Sequence, residues 1–265
     1  MIAISEFQKV CEKAVHAAGD VLLSKRGLVE AREKGPADLV TEADFASQEC
    51  VRRVVLSAFP DHCLLGEEGP RADSPRAEYR WIVDPLDGTT NYVHGIPFFN
   101  VSLALERNGE LLVGAVYNPV SRECFTAALG GGAYLNGEPI RASRVTELSR
   151  AVAAVGLPYT IHRDSPDLLV FLEALFACQS IRRTGSAALN MAYLAAGRFD
   201  VFWSYSTKIW DVAAGALIVR EAGGTITSTD GGPFRLEEAR FLAAANEPLH
   251  RQLQELAGRA TGSPG

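Results

Sequence analysis

Two aspartates three residues apart, followed at once by a glycine and two threonines, are the residues of this chain best suited to chemistry. They are Asp84, Asp87, Gly88, Thr89 and Thr90, in the run WIVDPLDGTTNY over 81–92. Trp81-Ile82-Val83 is apolar enough for a buried strand, which brings Asp84 out at its carboxyl end, where ligands of α/β proteins gather. Pro85 fixes a turn, so Asp87 can swing back towards Asp84. Gly88 permits close backbone approach by a ligand, and Thr89-Thr90 can open a short helix whose first amides are free for a phosphate. Two carboxylates beside a phosphate cradle are what Mg²⁺ uses, since it binds through a few carboxylates, substrate phosphate oxygens and retained water.

Two further acidic points repeat the theme. Glu67-Glu68 lie between Gly66 and Gly69 after an apolar pair, and adjacent like charges at a strand end would be relieved by a divalent cation. Asp211 opens the apolar run WDVAAGALIVREAGG; taken alone it reads equally as a helix N-cap, just as the glutamate pair alone reads as a solvated turn.

The elements that must position these acids follow from periodicity. Phe7, Val10, Cys11, Ala14, Val15, Ala18, Val21 and Leu22 mark a helix over 5–26 that stops at Gly27. The stretch 34–40 is a loop turning extended at Pro36. Thr41 caps a second helix, with Asp44 completing an acidic capping box, and Pro60-Asp61 ends it. A short strand over 79–83 comes next, then a hairpin through Asn108-Gly109 and another through Gly130–Gly132. From about 140 strands and helices alternate. The expected architecture is α+β followed by α/β, in two tightly joined subdomains, 1–139 with an antiparallel sheet and 140–265 with an α/β layer.

Composition sets the outer limits. Hydrophobic residues are 47% of 265, enough for a sizeable core, and the net charge of −6 argues against a basic nucleic-acid-binding surface as the main function. The five cysteines form no C-x-x-C pair, which points to free thiols in a reducing compartment. The N-terminal run is broken by charges and is no signal peptide, and nothing approaches the roughly 20 apolar residues of a membrane span, so a cytoplasmic protein is expected.

Taken together, GEEG (66–69), WIVDPLDGTTNYVHGIPFFNVSLAL and WDVAAGALIVREAGG, with DLVTEAD (38–44) and GSAALNMAYLAAGRFD (185–200), resemble the inositol monophosphatase family of magnesium-dependent, lithium-inhibited sugar phosphatases. The resemblance implies a layered αβαβα sandwich, a homodimer and a small-molecule phosphate ester as substrate, hydrolysed by metal-activated water. Carried across by motif, Glu67, Asp84 and the carbonyl of Leu86 would hold one Mg²⁺. Asp84, Asp87 and Asp211 would hold a second, and a third would lean on Glu67, with Glu68 as the acid behind them. The amides of Gly88 and Thr89 would bind phosphate. Asp44 would hydrogen-bond Thr89, the pair orienting or deprotonating the attacking water.

The substrate pocket departs from the family pattern. Gly185, Ser186 and Ala187 resemble the segment that contacts substrate hydroxyls, beside Asp87 and Asp211. Where inositol-specific members carry a glutamate seven residues before the last aspartate, this chain has Ser204. Lys208 and Arg182-Arg183 add cations near the pocket, as receivers of an anionic substrate or as surface and dimer charges. Lys34 sits in the family's mobile loop. Fructose 1,6-bisphosphatase, histidinol-phosphate phosphatase and 3′-phosphoadenosine 5′-phosphate phosphatase share the machinery and remain alternatives, as does a regulatory partner of the transcription machinery.

Overall fold

The computed structural model describes residues 3–35, 38–68 and 77–262. Helix α1 (Ile4–Lys25) is followed by a small antiparallel hairpin, β1 (Ala31–Gly35) and β2 (Asp38–Thr41), and by α2 (Glu42–Ala58). Next come β3 (Cys63–Gly66), β4 (Tyr79–Asp87), the single turn α3 (Thr89–Val93), β5 (Asn100–Arg107), β6 (Glu110–Asn118), β7 (Glu123–Ala128), β8 (Gly132–Leu135) and β9 (Glu138–Pro139). The second half holds β10 (Val152–Val155), α4 (Pro166–Ala177), β11 (Ser180–Arg182), α5 (Ala187–Ala195), β12 (Val201–Ser204), α6 (Ile209–Glu221), β13 (Thr225–Thr227), β14 (Phe241–Ala244) and α7 (Glu247–Thr261).

Strands β3 to β9 lie side by side in chain order in a seven-stranded sheet, antiparallel except for the parallel pair β3–β4. The other sheet has the order β11-β10-β12-β14-β13 and is mixed: β10 runs parallel to β11 and β12, while β14 is antiparallel to both its neighbours. The α/β rhythm therefore ends in an antiparallel return.

Side-chain alternation decides the layering. On β5, Val101, Leu103 and Leu105 join Phe7, Cys11, Val15 and Leu22 of α1 and Val51 and Val55 of α2 in one core. The other face of the same sheet, through Ile82, Ala104, Val116 and Phe125, packs on Leu189 and Met191 of α5 and Val212, Leu217 and Ile218 of α6. That middle core continues to Phe202 and Phe241 of the second sheet. Val201, Trp203 and Leu242 face outward to Val170 of α4 and Leu249 and Leu253 of α7. The result is five layers, αβαβα. Helix α6 lies at the centre because it has no polar stripe to offer water; nine of its residues, from Ile209 to Val219, are buried. Its small residues let the sheet come close: a Cβ on Gly114 of β6 would stand 3.0 Å from the Ala214 Cα.

Sequence periodicity locates most of these elements but not the hairpin β1–β2, whose AREKG strand is exposed along its length and carries no alternation. Pro36 and Ala37, Gly69 and residues 263–265 lie outside the described residues. His62, a loop residue by sequence, stacks between Phe59 and Tyr79 and accepts the Trp81 indole N–H at 3.0 Å, tying α2 to β4. None of the helices among the described residues is long and apolar enough to cross a membrane.

Candidate functional site

Strand β4 does not end at Val83, as its apolar run suggests, but continues to Asp87. Pro85 has no N–H to give a ladder, and the sheet accommodates it with a bulge. Asp84 pairs with Ser102 and Asp87 with Asn100, so three steps along β4 match two along β5. In a regular strand, residues three apart face opposite ways. The extra residue puts Asp84 and Asp87 on the same face, that of Ser102, whose hydroxyl lies 3.5 Å from the Trp210 carbonyl on α6. Leu86 turns the other way into the α1–α2 core, and Ser47 of α2 donates to the Pro85 carbonyl at 2.6 Å.

Asp211 meets this face from α6. The helix starts at Ile209, two residues earlier than the aspartate suggests, so Asp211 is not its N-cap but its third residue, with Oδ2 accepting the Lys208 N–H at 2.7 Å. From the far side, Glu67 and Glu68 follow β3. The Lys34 ammonium lies 3.1 Å from Glu67 Oε1 and also binds Glu68, while Gln48 Oε1 accepts the Glu68 N–H at 3.0 Å.

After β4 the chain turns sharply at Gly88, whose φ of 94° is left-handed and whose absent Cβ would stand 3.0 Å from the Phe98 carbonyl. Thr89 then places Oγ1 3.3 Å from Asp44 Oδ1 and 3.0 Å from the Leu86 carbonyl. Asp44 is itself anchored at α2, where its Oδ2 accepts the Thr41 hydroxyl at 2.7 Å and the Thr41 N–H at 2.8 Å.

Asp87 is the most heavily held acid. It accepts from Asn100 Nδ2 at 2.9 Å, Ser186 Oγ at 2.5 Å, and the Ala187 and Ala188 amides at 3.2 and 2.8 Å. Those amides begin α5, so the carboxylate also serves as a cap from another element, favoured by the helix dipole.

Burial, with mutual repulsion at some positions, raises the proton affinity of Asp44, Glu67, Asp84, Asp87 and Asp211. Asp84 is held well above the ordinary carboxylate range by burial and by Glu67, Asp87 and Asp211. Asp211 is pushed up to about 8 by burial and Asp87, against the Lys208 amide. Glu67 is pushed up to about 7, burial and Glu68 outweighing Lys34. Asp87 rises through burial despite its four donors, and Asp44 through burial despite Thr41. Among the described residues no three Asp, Glu, His or Cys side chains form a ready-made metal cage. Glu67, Asp84, Asp87 and Asp211 each accept a hydrogen bond from a donor outside the group of acids.

The expected substrate residues divide. Asn91 Nδ2 bridges the carbonyls of Phe98 and Thr184, at 2.7 and 2.8 Å, and so ties Gly185, Ser186 and Ala187 to the Gly88 turn. Ser186 is buried and spends its hydroxyl on Asp87. Ser204 is completely buried at the end of β12; its hydroxyl accepts the Ser206 N–H at 3.3 Å, and none of its hydrogen bonds reaches the carboxylates. Lys208 is exposed and lines a neighbouring cleft. Arg182 bonds Ser180 Oγ at 2.5 Å.

Three residues escape sequence reading. Asn100 supports Asp87, and its polarity inside FFNVSLAL was the available signal. Gln48 clamps Glu68 from a helical position with nothing to mark it. Tyr159 is an exposed residue, yet desolvation, then the charges of Asp38, Glu67, Asp211 and Asp84, hold its phenol above the ordinary value.

A sequence profile described as the Inositol monophosphatase family matches residues 3–262. The inositol-1-monophosphatase of Rhizobium meliloti (strain 1021) is 42% identical over 262 residues, covering 97% of this chain and 98% of that one. The Nus factor SuhB of Vibrio cholerae is 39% identical over 229 residues, covering 86% of each. The crystal structure of the extragenic suppressor protein suhB from Bartonella henselae aligns with a TM-score of 0.90 at 38% identity, over 95% of this chain and 98% of that one. With the profile and full-length relatives agreeing on sequence and on the five-layer fold, the chain belongs to the inositol monophosphatase family.

Proposed function

We propose that this protein is a magnesium-dependent phosphomonoesterase acting on inositol monophosphate or a related small polyol or sugar phosphate. The observation that carries the reading is the β4 bulge, which turns Asp84 and Asp87 to one face, towards Asp211. The donor set fits the ion: four carboxylates and a carbonyl, all hard oxygens, whose mutual repulsion a divalent cation would relieve. Glu67, Asp84 and the Leu86 carbonyl would hold one Mg²⁺; Asp84, Asp87 and Asp211 would hold another, and a third would share Glu67 with Glu68 behind it. The chemistry such ions supply is charge, lowering the pKa of water and stabilising the leaving oxygen.

The chain's own groups do the rest. The Thr89 hydroxyl, held between Asp44 and the Leu86 carbonyl, can accept a hydrogen bond from a water and pass a proton towards Asp44. Its amide and that of Gly88 would receive phosphate oxygens. Lys34 pairs with both Glu67 and Glu68 and would balance part of their charge.

Substrate choice rests on Ser204. A buried neutral hydroxyl cannot provide the acceptor that a carboxylate there would give an inositol hydroxyl, which keeps fructose 1,6-bisphosphate, histidinol phosphate and 3′-phosphoadenosine 5′-phosphate in contention. Phosphate release from these and from inositol 1-phosphate, with and without Mg²⁺, tests the reading. Magnesium-dependent release from at least one is expected; silence across the panel in folded, magnesium-supplied protein would sink it.

The relatives named Nus factor SuhB favour a second role, as a partner of the transcription machinery. Co-purification with RNA polymerase that survives Asp84→Asn would support it, and no association would remove it.

A further inference from the structure

Ser204 leaves the substrate side of the acidic site without a charged acceptor, and the chain beside it carries a different group. Strands β10 and β12 run parallel with Val155 beside Trp203, so Gly156 comes level with Ser204 as both strands end. A Cβ on Gly156 would stand 3.1 Å from Ser204 Oγ; glycine lets the backbone lie flat against it. The Gly156 N–H also donates to the Trp203 carbonyl at 3.3 Å.

The chain then crosses to α4 over 157–165 and is tied down again at the first turn of that helix. There the buried Asp167 accepts the Tyr205 N–H on Oδ1 at 2.8 Å, and its carbonyl accepts the Trp203 indole N–H at 3.5 Å. Both ends of the crossing are therefore fixed to β12 and to the turn that leads from β12 to Asp211.

Tyr159 lies within this crossing. It is 62% exposed and makes neither a hydrogen bond nor a ring contact among the described residues. Desolvation, then the charges of Asp38, Glu67, Asp211 and Asp84, keep its phenol protonated, so three of the acids expected to hold metal act on it. Ile161, two residues on, is exposed as well. A rigid aromatic face and an unbonded hydroxyl beside the acids are free to meet the alcohol part of a substrate.

We propose that Tyr159 is a specificity-determining residue, its ring packing on the face of a cyclic polyol or sugar and its hydroxyl bonding a ring hydroxyl. This rests on the phosphomonoesterase reading above and narrows the substrates to esters of ring alcohols. Ser204 cannot supply the acceptor, so recognition passes from a carboxylate to an aromatic surface. A short open-chain ester offers that surface no face to cover.

Magnesium-dependent phosphate release from inositol 1-phosphate, fructose 1,6-bisphosphate and glycerol 2-phosphate tests this in wild type, Tyr159→Phe and Tyr159→Ala. Preference is read as kcat/KM for the better ring ester over kcat/KM for glycerol 2-phosphate. Tyr159→Ala should lower that preference at least about fivefold, through a higher KM for the ring ester. Tyr159→Phe keeps the ring and should recover part of the loss. Both variants should melt as wild type does, since Tyr159 packs on no other ring. An undiminished preference in Tyr159→Ala overturns the proposal. So does a fall confined to kcat, which would make the phenol part of the metal and water machinery. Wild-type activity that excludes both ring esters overturns it while the phosphatase reading stands; silence on every ester tried sinks both.

Discussion

Asp84 and Asp87 look equivalent in the sequence, yet they do different work. Asp84 is buried among other acids with a single amide donor, so its charge is a burden that only a cation lifts. Asp87 accepts four hydrogen bonds and caps α5. Replacing each by asparagine should therefore separate activity from stability. Asp84→Asn is expected to cost about 3 kcal/mol or more of transition-state stabilisation, roughly a hundredfold in rate, while raising the melting temperature of the metal-free protein. Asp87→Asn should lose comparable activity and also destabilise the fold by about 1–3 kcal/mol, because its amide group confronts donors. Phosphate release and thermal melts in EDTA check both; equal melting behaviour would contradict the assigned roles.

Among the elements, the end of β4 and the start of α6 are where backbone geometry becomes chemistry. The bulge sets the phase of the two aspartates, and Gly88 then allows the left-handed turn into α3. Gly88→Ala should cost about 1–3 kcal/mol of stability, since its Cβ would meet the Phe98 carbonyl in a strained conformation, and should abolish turnover by moving Thr89. Chemical denaturation and activity read the two effects.

The first turn of α6 also carries a pH signature. Asp211 near 8 and Glu67 near 7, with Asp84 higher than ordinary, mean that the metal-free folded state binds more protons than the unfolded chain. Its stability should fall as pH rises from about 4 through about 8. Magnesium would bind the deprotonated acids, so it should restore stability at the upper end. Melting temperatures from pH 5 to 9, in EDTA and in Mg²⁺, test the sign; parallel curves would count against a cation site.

For the whole molecule, five layers bury three cores, and α6, with nine buried residues, ends in the middle. The outermost layer is less complete: Leu172, Leu175 and Phe176 of α4 are exposed, Phe176 by 92%. Isolated exposed leucines are ordinary, but three large apolar side chains on one helix end would suit a contact surface. The homodimer implied by family resemblance would dock there, so Phe176→Asp should yield a monomer by light scattering without loss of fold. A variant that stays dimeric would move the interface elsewhere.

The sequence by itself determined the acidic run 84–90, its glycine and threonines, the capping box at Thr41 and Asp44, and most helices and strands, because each depends on neighbours within a few residues. It also carried enough shared motifs to point to a family. Only the tertiary structure decided which faces meet. The β4 bulge exists because Pro85 must fit a ladder supplied by β5, which no local pattern reports. The hairpin β1–β2 lacks apolar alternation, yet it positions Lys34 over Glu67 and Glu68. Position along the chain gives no sign that Ser204 and Ser186 are buried or that Ser186 bonds Asp87; packing decides both. Spacing along a chain fixes what a side chain can donate or accept, but burial and partners from distant elements fix which of those bonds it makes.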